Sequence, residues 1–390
     1  MLLRSQLVLI SVVAIAILAT VFAVSSLGIN SSDTSYNDDS KKKKILNTSV
    51  TGDVRKAITT INTPHGVYQT SGDILDPTNQ VVSRDKIVVD PMEYLRAFNY
   101  GRVSSLPNGT ILREFTLVAS DDKVMEISPG VFYNVWTFNG TVPGPTIRAT
   151  EGDLVRIYFI NNGSKSHSIH FHGIHKSDMD GAFEMIGPGG RFIYEFYAEP
   201  FGVFPYHCHM QPLEEHISHG LYGIYIVDPK KPRPPADEMV MMMNGYDTDN
   251  DKENNFYTVN GIPYYYMHHP IQIQKDRLVR IYLVNMLEFD PINNFHLHGN
   301  LYQVYRSGTS IIPNEYTDMI TMSQGERGIL EFSYRYGGPY MFHAHKTEFA
   351  EKGWVGIFLV KDQNYGYYYN SGQNVTNSQQ QQQSKGGGRY

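Results

Sequence analysis

The sequence predicts an all-β chain built from two similar β-sandwich domains, and three observations carry that prediction. Short β-branched and aromatic runs such as "LVRIYFI" and "RFIYEFY" recur between Gly, Pro, Asn and Asp residues at strand-plus-turn spacing. Nothing in either half has the period of a long amphipathic helix. The chain also repeats itself: "DLVRIYFIN" at Asp153 returns as "DRLVRIYLVN", and Leu154 corresponds to Leu278, about 124 residues later, which is the length of one domain. Both halves close alike, on "GLYGIYIV" and "GWVGIFLV".

These marks divide the 390 residues. Residues 1–28 hold an apolar run from Leu7 to Leu27, about 20 residues and so long enough for a transmembrane anchor, with a signal peptide as the other reading. Residues 29–112 are polar and turn-rich and read as a stalk and a wrapping arm. Domain 1 is expected at 113–229 and domain 2 at 230–362, joined by the Pro-rich "DPKKPRPPADE". The Gln- and Gly-rich tail, 363–390, is expected to be disordered. Sequons at Asn47, Asn108, Asn139, Asn162 and Asn374 favour an exported, extracytoplasmic protein, membrane-anchored or secreted, although Lys41–Lys44 pull against that orientation.

Charge is nearly balanced, with 33 basic and 39 acidic side chains, which excludes the basic surface that nucleic acid requires. A single cysteine, Cys208, excludes a disulfide framework. The chemistry lies in the histidines. Four His-x-His pairs, His170/His172, His207/His209, His296/His298 and His343/His345, stand at equivalent places of the repeats, two per half. Residues two apart on a strand face the same side, so each pair aims two imidazoles at one place. Imidazole suits Cu, Zn, Fe and Ni alike.

Cys208 narrows that choice. Between His207 and His209 it faces the opposite side and so serves another site, with His216 and His167 within sequence reach. Two His and one Cys with a weak axial ligand is the blue-copper arrangement.

From Arg113 to Lys361 the chain resembles two-domain multicopper oxidases of the cupredoxin type. The resemblance is carried by "NGTVPGPTI", "HSIHFHG", "HCH", "HLHG" and "HAH". It implies two cupredoxin-like Greek-key sandwiches and about four coppers per subunit: one type 1, one type 2 and two type 3. His167, Cys208 and His216 would hold type 1 copper, with Leu221 at the axial position and no donor atom. His170 and His296 would hold type 2 copper. His172, His207, His209, His298, His343 and His345 would hold the type 3 pair, and Cys208, His207 and His209 would form the electron path. Aligning the repeats sets Asn293 opposite His167, Ala344 opposite Cys208 and Phe349 opposite His216, so domain 2 has no type 1 set.

The expected reaction is one-electron oxidation of a small reducing substrate, phenol-like or a metal ion, coupled to reduction of dioxygen to water. The resemblance also implies a homotrimer with trinuclear sites between subunits. A copper nitrite reductase, which needs only about three His for its second site, and a simple copper carrier are the alternatives. Asp178, Met179, Asp180, Glu184, Glu214, Glu215, His175 and His219 are candidates for a substrate entrance, and Glu348 for a proton relay.

Overall fold

The computed structural model describes residues 86–362, with the backbone of a strand pair, β1 (Ile61–Thr63) and β2 (Gly66–Tyr68). The apolar run at Leu7–Leu27, His65 and the 363–390 tail lie outside the described residues. Among the described residues no helix is long and apolar enough to cross a membrane.

Two sandwiches follow, each of two sheets, as the alternating strands predict. In the first, β10 (Arg191–Tyr197), β8 (Leu154–Asn161), β5 (Ile111–Ser128) and β4 (Arg102–Ser105) form one sheet, with β6 (Val131–Phe138) also on β5. Its second sheet runs β3 (Phe98–Asn99), β7 (Thr146–Thr150), β12 (Tyr222–Asp228), β11 (Gly202–His207) and β9 (His170–Phe171). The second sandwich pairs β14 (Phe256–Val259), β13 (Asp237–Tyr246), β16 (Val279–Asn285), β21 (Arg327–Phe332), β18 (Tyr302–Arg306) and β19 (Glu315–Thr317). Facing them are β15 (Ile271–Gln274), β23 (Val355–Lys361), β22 (Gly338–His343), β17 (Ile292–Leu297) and β20 (Met319–Ser323).

The sequence repeat is a repeat of topology. β7 lies parallel to β12 as β15 does to β23, and β5 parallel to β8 as β13 does to β16. Part of the segment expected as an arm belongs to these sheets: β3 extends β7, and β4 pairs with β5. These strands are too short, two and four residues, for periodicity to reveal them.

The facing strands of the two domains are apolar on both faces. Along β13, Met239, Met241 and Met243 enter the domain 2 core, while Val240 and Met242 face domain 1. Along β12, Tyr225 and Val227 enter the domain 1 core, while Tyr222, Ile224 and Ile226 face domain 2. The outward-facing residues merge with Val203, Tyr246, Tyr282, Val284 and Ile329 into a third core between the domains. The Pro-rich linker is pinned across it: Arg233 donates to the carbonyls of Gly308 (3.0 Å) and Ser310 (2.5 Å) and covers the Tyr305 ring.

A buried ion network closes the rim of this core. Arg148 on β7 donates to Asp228 (2.7 Å) and across the domain boundary to Glu238 (2.7 Å). Glu238 also accepts from Arg280 (2.9 Å) and the Tyr282 hydroxyl (2.7 Å), and Arg280 reaches Glu331 (2.6 Å). Burial would raise the Glu238 carboxyl, but the hydrogen bonds from Arg148, Tyr282 and Arg280 outweigh it and hold the group down at about 2. A carboxylate depressed in the folded state stabilises above its unfolded value, and that contribution fades as pH falls toward the folded value.

Glu238→Gln should therefore unfold at lower denaturant than the parent at pH 7, and the gap should narrow as pH falls from about 4.5 toward about 2. A gap that stays constant through this window, in chemical denaturation followed by tryptophan fluorescence, would show that the network does not carry the coupling. Arg148→Met, which removes the bonds to Asp228 and Glu238 but leaves Glu238 to Arg280 and Tyr282, should cost about 1.5–3 kcal/mol at pH 7.

Candidate metal centres

Strand ends place the candidate ligands. His170 opens the two-residue β9, which pairs His170 with His207 at the end of β11. In domain 2, β17 pairs His296 with His343 at the end of β22. Each pairing sets four imidazoles side by side, and the two sets have nearly the same geometry. Ring centroids are 5.0 Å apart for His170/His172 and 5.0 Å for His296/His298. They are 5.2 Å apart for His170/His209 and for His296/His345, and 6.0 Å for His207/His209 and for His343/His345. All eight histidines of the four pairs thus fall into two equivalent half-sites.

Backbone carbonyls fix the tautomers. The Nδ1 of His170 lies 2.8 Å from the Asp180 carbonyl, and that of His296 lies 2.9 Å from the Asp318 carbonyl. His207 and His343 make the same bond to the carbonyls of Cys208 (2.9 Å) and Ala344 (2.7 Å). A carbonyl only accepts, so Nδ1 carries the proton and each Nε2 presents a lone pair. Two of these nitrogens each meet a further imidazole: Nε2 of His207 lies 3.2 Å from Nε2 of His172, and Nε2 of His343 lies 2.9 Å from Nε2 of His298. Burial, with neighbouring imidazoles adding to it, pushes His172 down to about 3 and His207 to about 4, so that pair is not held together by protonation; His298 and His343 are lowered by the same causes. Converging neutral imidazoles fit a bound transition metal. The domain 1 half-site is partly buried; in domain 2, His298 and His345 are exposed.

Cys208 faces away from both, as the alternation predicts. Its Sγ is 3.1 Å from Nδ1 of His216 and 3.8 Å from Nδ1 of His167, and all three residues are at most 2% exposed. Burial pushes the thiol up to about 11, so a cation is needed to keep it a thiolate near neutral pH. Leu221 closes this pocket, fully buried, its carbonyl accepting the Cys208 N–H (2.9 Å). Helix α2 (Leu213–Ser218; α1 is Pro91–Tyr94) carries His216 inward. Trp136 stands edge-on to His216 at 4.8 Å, and His219 is stacked between Trp136 and Tyr133. Trp136 and Tyr133 contribute to this wall without any motif that marked them in the sequence.

Domain 2 fills the equivalent pocket. Ala344 and Phe349 are fully buried, and Phe349 stacks on Tyr257 at 3.8 Å. Asn293 is bound to Asn285 (3.3 Å).

The remaining candidates have local partners. His175 bonds the Phe171 carbonyl (2.6 Å), and Asp180 Oδ1 approaches both His170 (3.4 Å) and His175 (3.7 Å). Met179 is buried, its sulfur accepting the Glu195 N–H (3.3 Å), and one oxygen of Glu184 is buried. Glu214 and Glu215 pair with Lys252 (2.7 Å) and Lys165 (2.9 Å), and Glu348 with Lys352 (2.9 Å). His269 stacks on Tyr265, and His268 is exposed beside it. An acidic group at Asp247, Asp249 and Asp251 closes its own loop, the Asp247 carboxylate accepting four backbone N–H groups from Asp249 to Lys252. The Asn139 sequon amide is spent on the Thr116 carbonyl (2.9 Å) and the Val118 N–H (2.7 Å).

Gly181 has φ +77°, and a Cβ there would collide with the Ile169 carbonyl. Gly181→Ala should therefore lift Asp180 from His170 and reduce the copper retained per chain after dialysis. Gly189→Ala, also at positive φ (+73°) but facing open space, should leave it unchanged. Equal losses in both would remove the positioning role given to Asp180.

Comparison with known proteins agrees with this geometry. Two multicopper oxidase family models match residues 122–232 and 232–364. A crystal structure of a multicopper oxidase is 54% identical, covers 70% of this chain and 97% of its own, and superposes with a TM-score of 0.69. A copper nitrite reductase from Nitrosomonas europaea is 30% identical, covering 65% of this chain and 95% of its own, with a TM-score of 0.59. The copper-containing nitrite reductase of Neisseria meningitidis is 29% identical over 62% of this chain and 67% of its own length. With its two sandwiches, its buried Cys/His/His set and its doubled histidine pairs, the chain belongs to the multicopper oxidase family and is a copper oxidoreductase.

Proposed function

We propose that the chain is an oxidase coupling one-electron oxidation of a small reducing substrate to four-electron reduction of dioxygen to water. In this reading His167, Cys208 and His216 hold type 1 copper. His170 and His296 hold type 2 copper, and His172, His207, His209, His298, His343 and His345 hold the type 3 pair. One observation carries it: eight imidazoles in two half-sites of matching geometry, with Nδ1 of two rings in each bonded to backbone carbonyls. Copper bound there supplies single-electron transfer and oxygen reduction. The protein supplies rings held by carbonyls, and a backbone that joins Cys208 directly to His207 and His209.

The half-sites are the two sides of an interface in a head-to-tail homotrimer on this proposal. Supporting it, Phe183 is 86% exposed and Met185 72% on the loop that follows His172 and His175. Beside His296 and His298, Tyr316 is 67% exposed and Leu301 40%. Apolar side chains rimming unfinished metal sites suit burial against another copy. Export, with the Leu7–Leu27 run as anchor or signal, completes the proposal. Its supports are the length of that run and the remaining sequons.

Nitrite reduction is the second reading, favoured by the nitrite reductases among the relatives. It would leave His170, His209 and His296 without use. Copper per chain separates the two: about four for the oxidase, about two for the reductase. Oxygen uptake with a phenol, Cu(I) or Fe(II), compared with anaerobic nitrite turnover, gives the second readout. Nitric oxide formation without oxygen uptake would end the oxidase proposal. Cys208→Ser should abolish the strong blue absorption and turnover while retaining about three of four coppers, measured by absorption and metal analysis.

A further inference from the structure

We propose that Asp121 is a positioning and tuning residue for the type 1 centre, lowering its reduction potential through His167. The inference rests on the type 1 assignment above. His167 presents Nδ1 to Cys208 and His216, and its other nitrogen, Nε2, lies 3.2 Å from Asp121 Oδ2. Both side chains are almost fully enclosed, 0% and 2% exposed.

The fold takes trouble to deliver this carboxylate. β5 and β6 pair in register until a bulge between Ser120 and Lys123 inserts Asp121 and Asp122. A bulge re-aims a side chain, and here it turns Asp121 inward beneath the 162–167 loop. Backbone N–H groups of Ser164 (2.8 Å) and Lys165 (2.7 Å) then bind the same carboxylate and fix its direction. Gly163 covers the contact. A Cβ there would sit 2.7 Å from Asp121 Oδ2 and 2.8 Å from His167 Nε2, so no larger residue fits over the pair.

A buried anion on the remote nitrogen makes a ligating imidazole more basic. It also favours the higher charge on the metal, because its field is poorly screened in this setting. Both effects stabilise Cu(II) relative to Cu(I). They oppose Leu221, whose missing axial donor acts in the other direction. Among the described residues no carboxylate is bonded to the remote nitrogen of His216, so the tuning enters through one ligand. Trp136 stands edge-on to both histidines, at 5.7 Å from His167 and 4.8 Å from His216, but only His167 is anchored by a carboxylate among the described residues.

Asp121→Asn removes the charge and keeps an oxygen acceptor of nearly the same size. Spectroelectrochemical titration of the blue band in the copper-loaded protein should show Cu(I) favoured at least tenfold more than in the parent, a rise of about 59 mV. Copper content and the blue band itself should persist. Gly163→Ala, on a different segment, wedges the pair apart and should shift the potential in the same direction by less. It is the variant to read if Asp121→Asn does not fold. An unchanged or lowered potential, with the blue band intact, overturns the inference. Absence of a blue band in the parent protein would instead overturn the type 1 assignment on which it stands.

Discussion

Successive side chains of an extended strand point to opposite sides, and that constraint organises everything around Cys208. His207 and His209 turn toward one half-site, while Cys208 turns into the pocket of His167 and His216. A helix would have splayed these three residues around its surface. Here the two sites are separated by the thickness of one backbone and joined by its bonds. The same carbonyl that links them, that of Cys208, orients the His207 ring. Position, separation and connection all come from one extended tripeptide.

The rigidity needed to hold such sites comes from the domain boundary. Strands β12, β13 and β16 spend both faces on apolar packing, one inside a sandwich and one between sandwiches. β11, whose end carries His207, contacts β21 and β16 of the other domain. The strands that carry these histidines are therefore backed by three cores rather than one, and the Arg148–Glu238–Arg280 network ties the two domains together at the rim.

Much of this was legible in the sequence because it repeats. The His-x-His spacing, the lone cysteine and the duplicated "LVRIY" strands sufficed to expect two sandwiches and eleven metal-facing residues, and the structure gathers His167, Cys208 and His216 in one place and the four pairs in two others. The groups that steer those ligands were not legible. Asp180 and Asp318 act through backbone carbonyls, which every residue possesses and no motif marks. Asp121 lies 46 residues from His167 and depends on a bulge that has no pattern of its own. Strands β3 and β4 were too short to separate from the arm that precedes them. The acidic residues before His216 looked available for a substrate, yet each is held by a lysine from elsewhere in the fold.

The pocket of domain 2 has a consequence for direction. Ala344 replaces the cysteine, and Phe349 occupies the histidine's place in a stack with Tyr257, under the Lys346 ammonium at 4.0 Å. Aromatic carbon fills the volume a second metal would need, and no single substitution would empty it. On the proposed reading, electrons for the His296/His343 half-site would have to start from the Cys208 pocket, since the matching place in domain 2 holds Ala344 and Phe349. The two domains share one topology, but with one pocket packed shut the proposed duties are unequal: electron entry would fall to domain 1 alone.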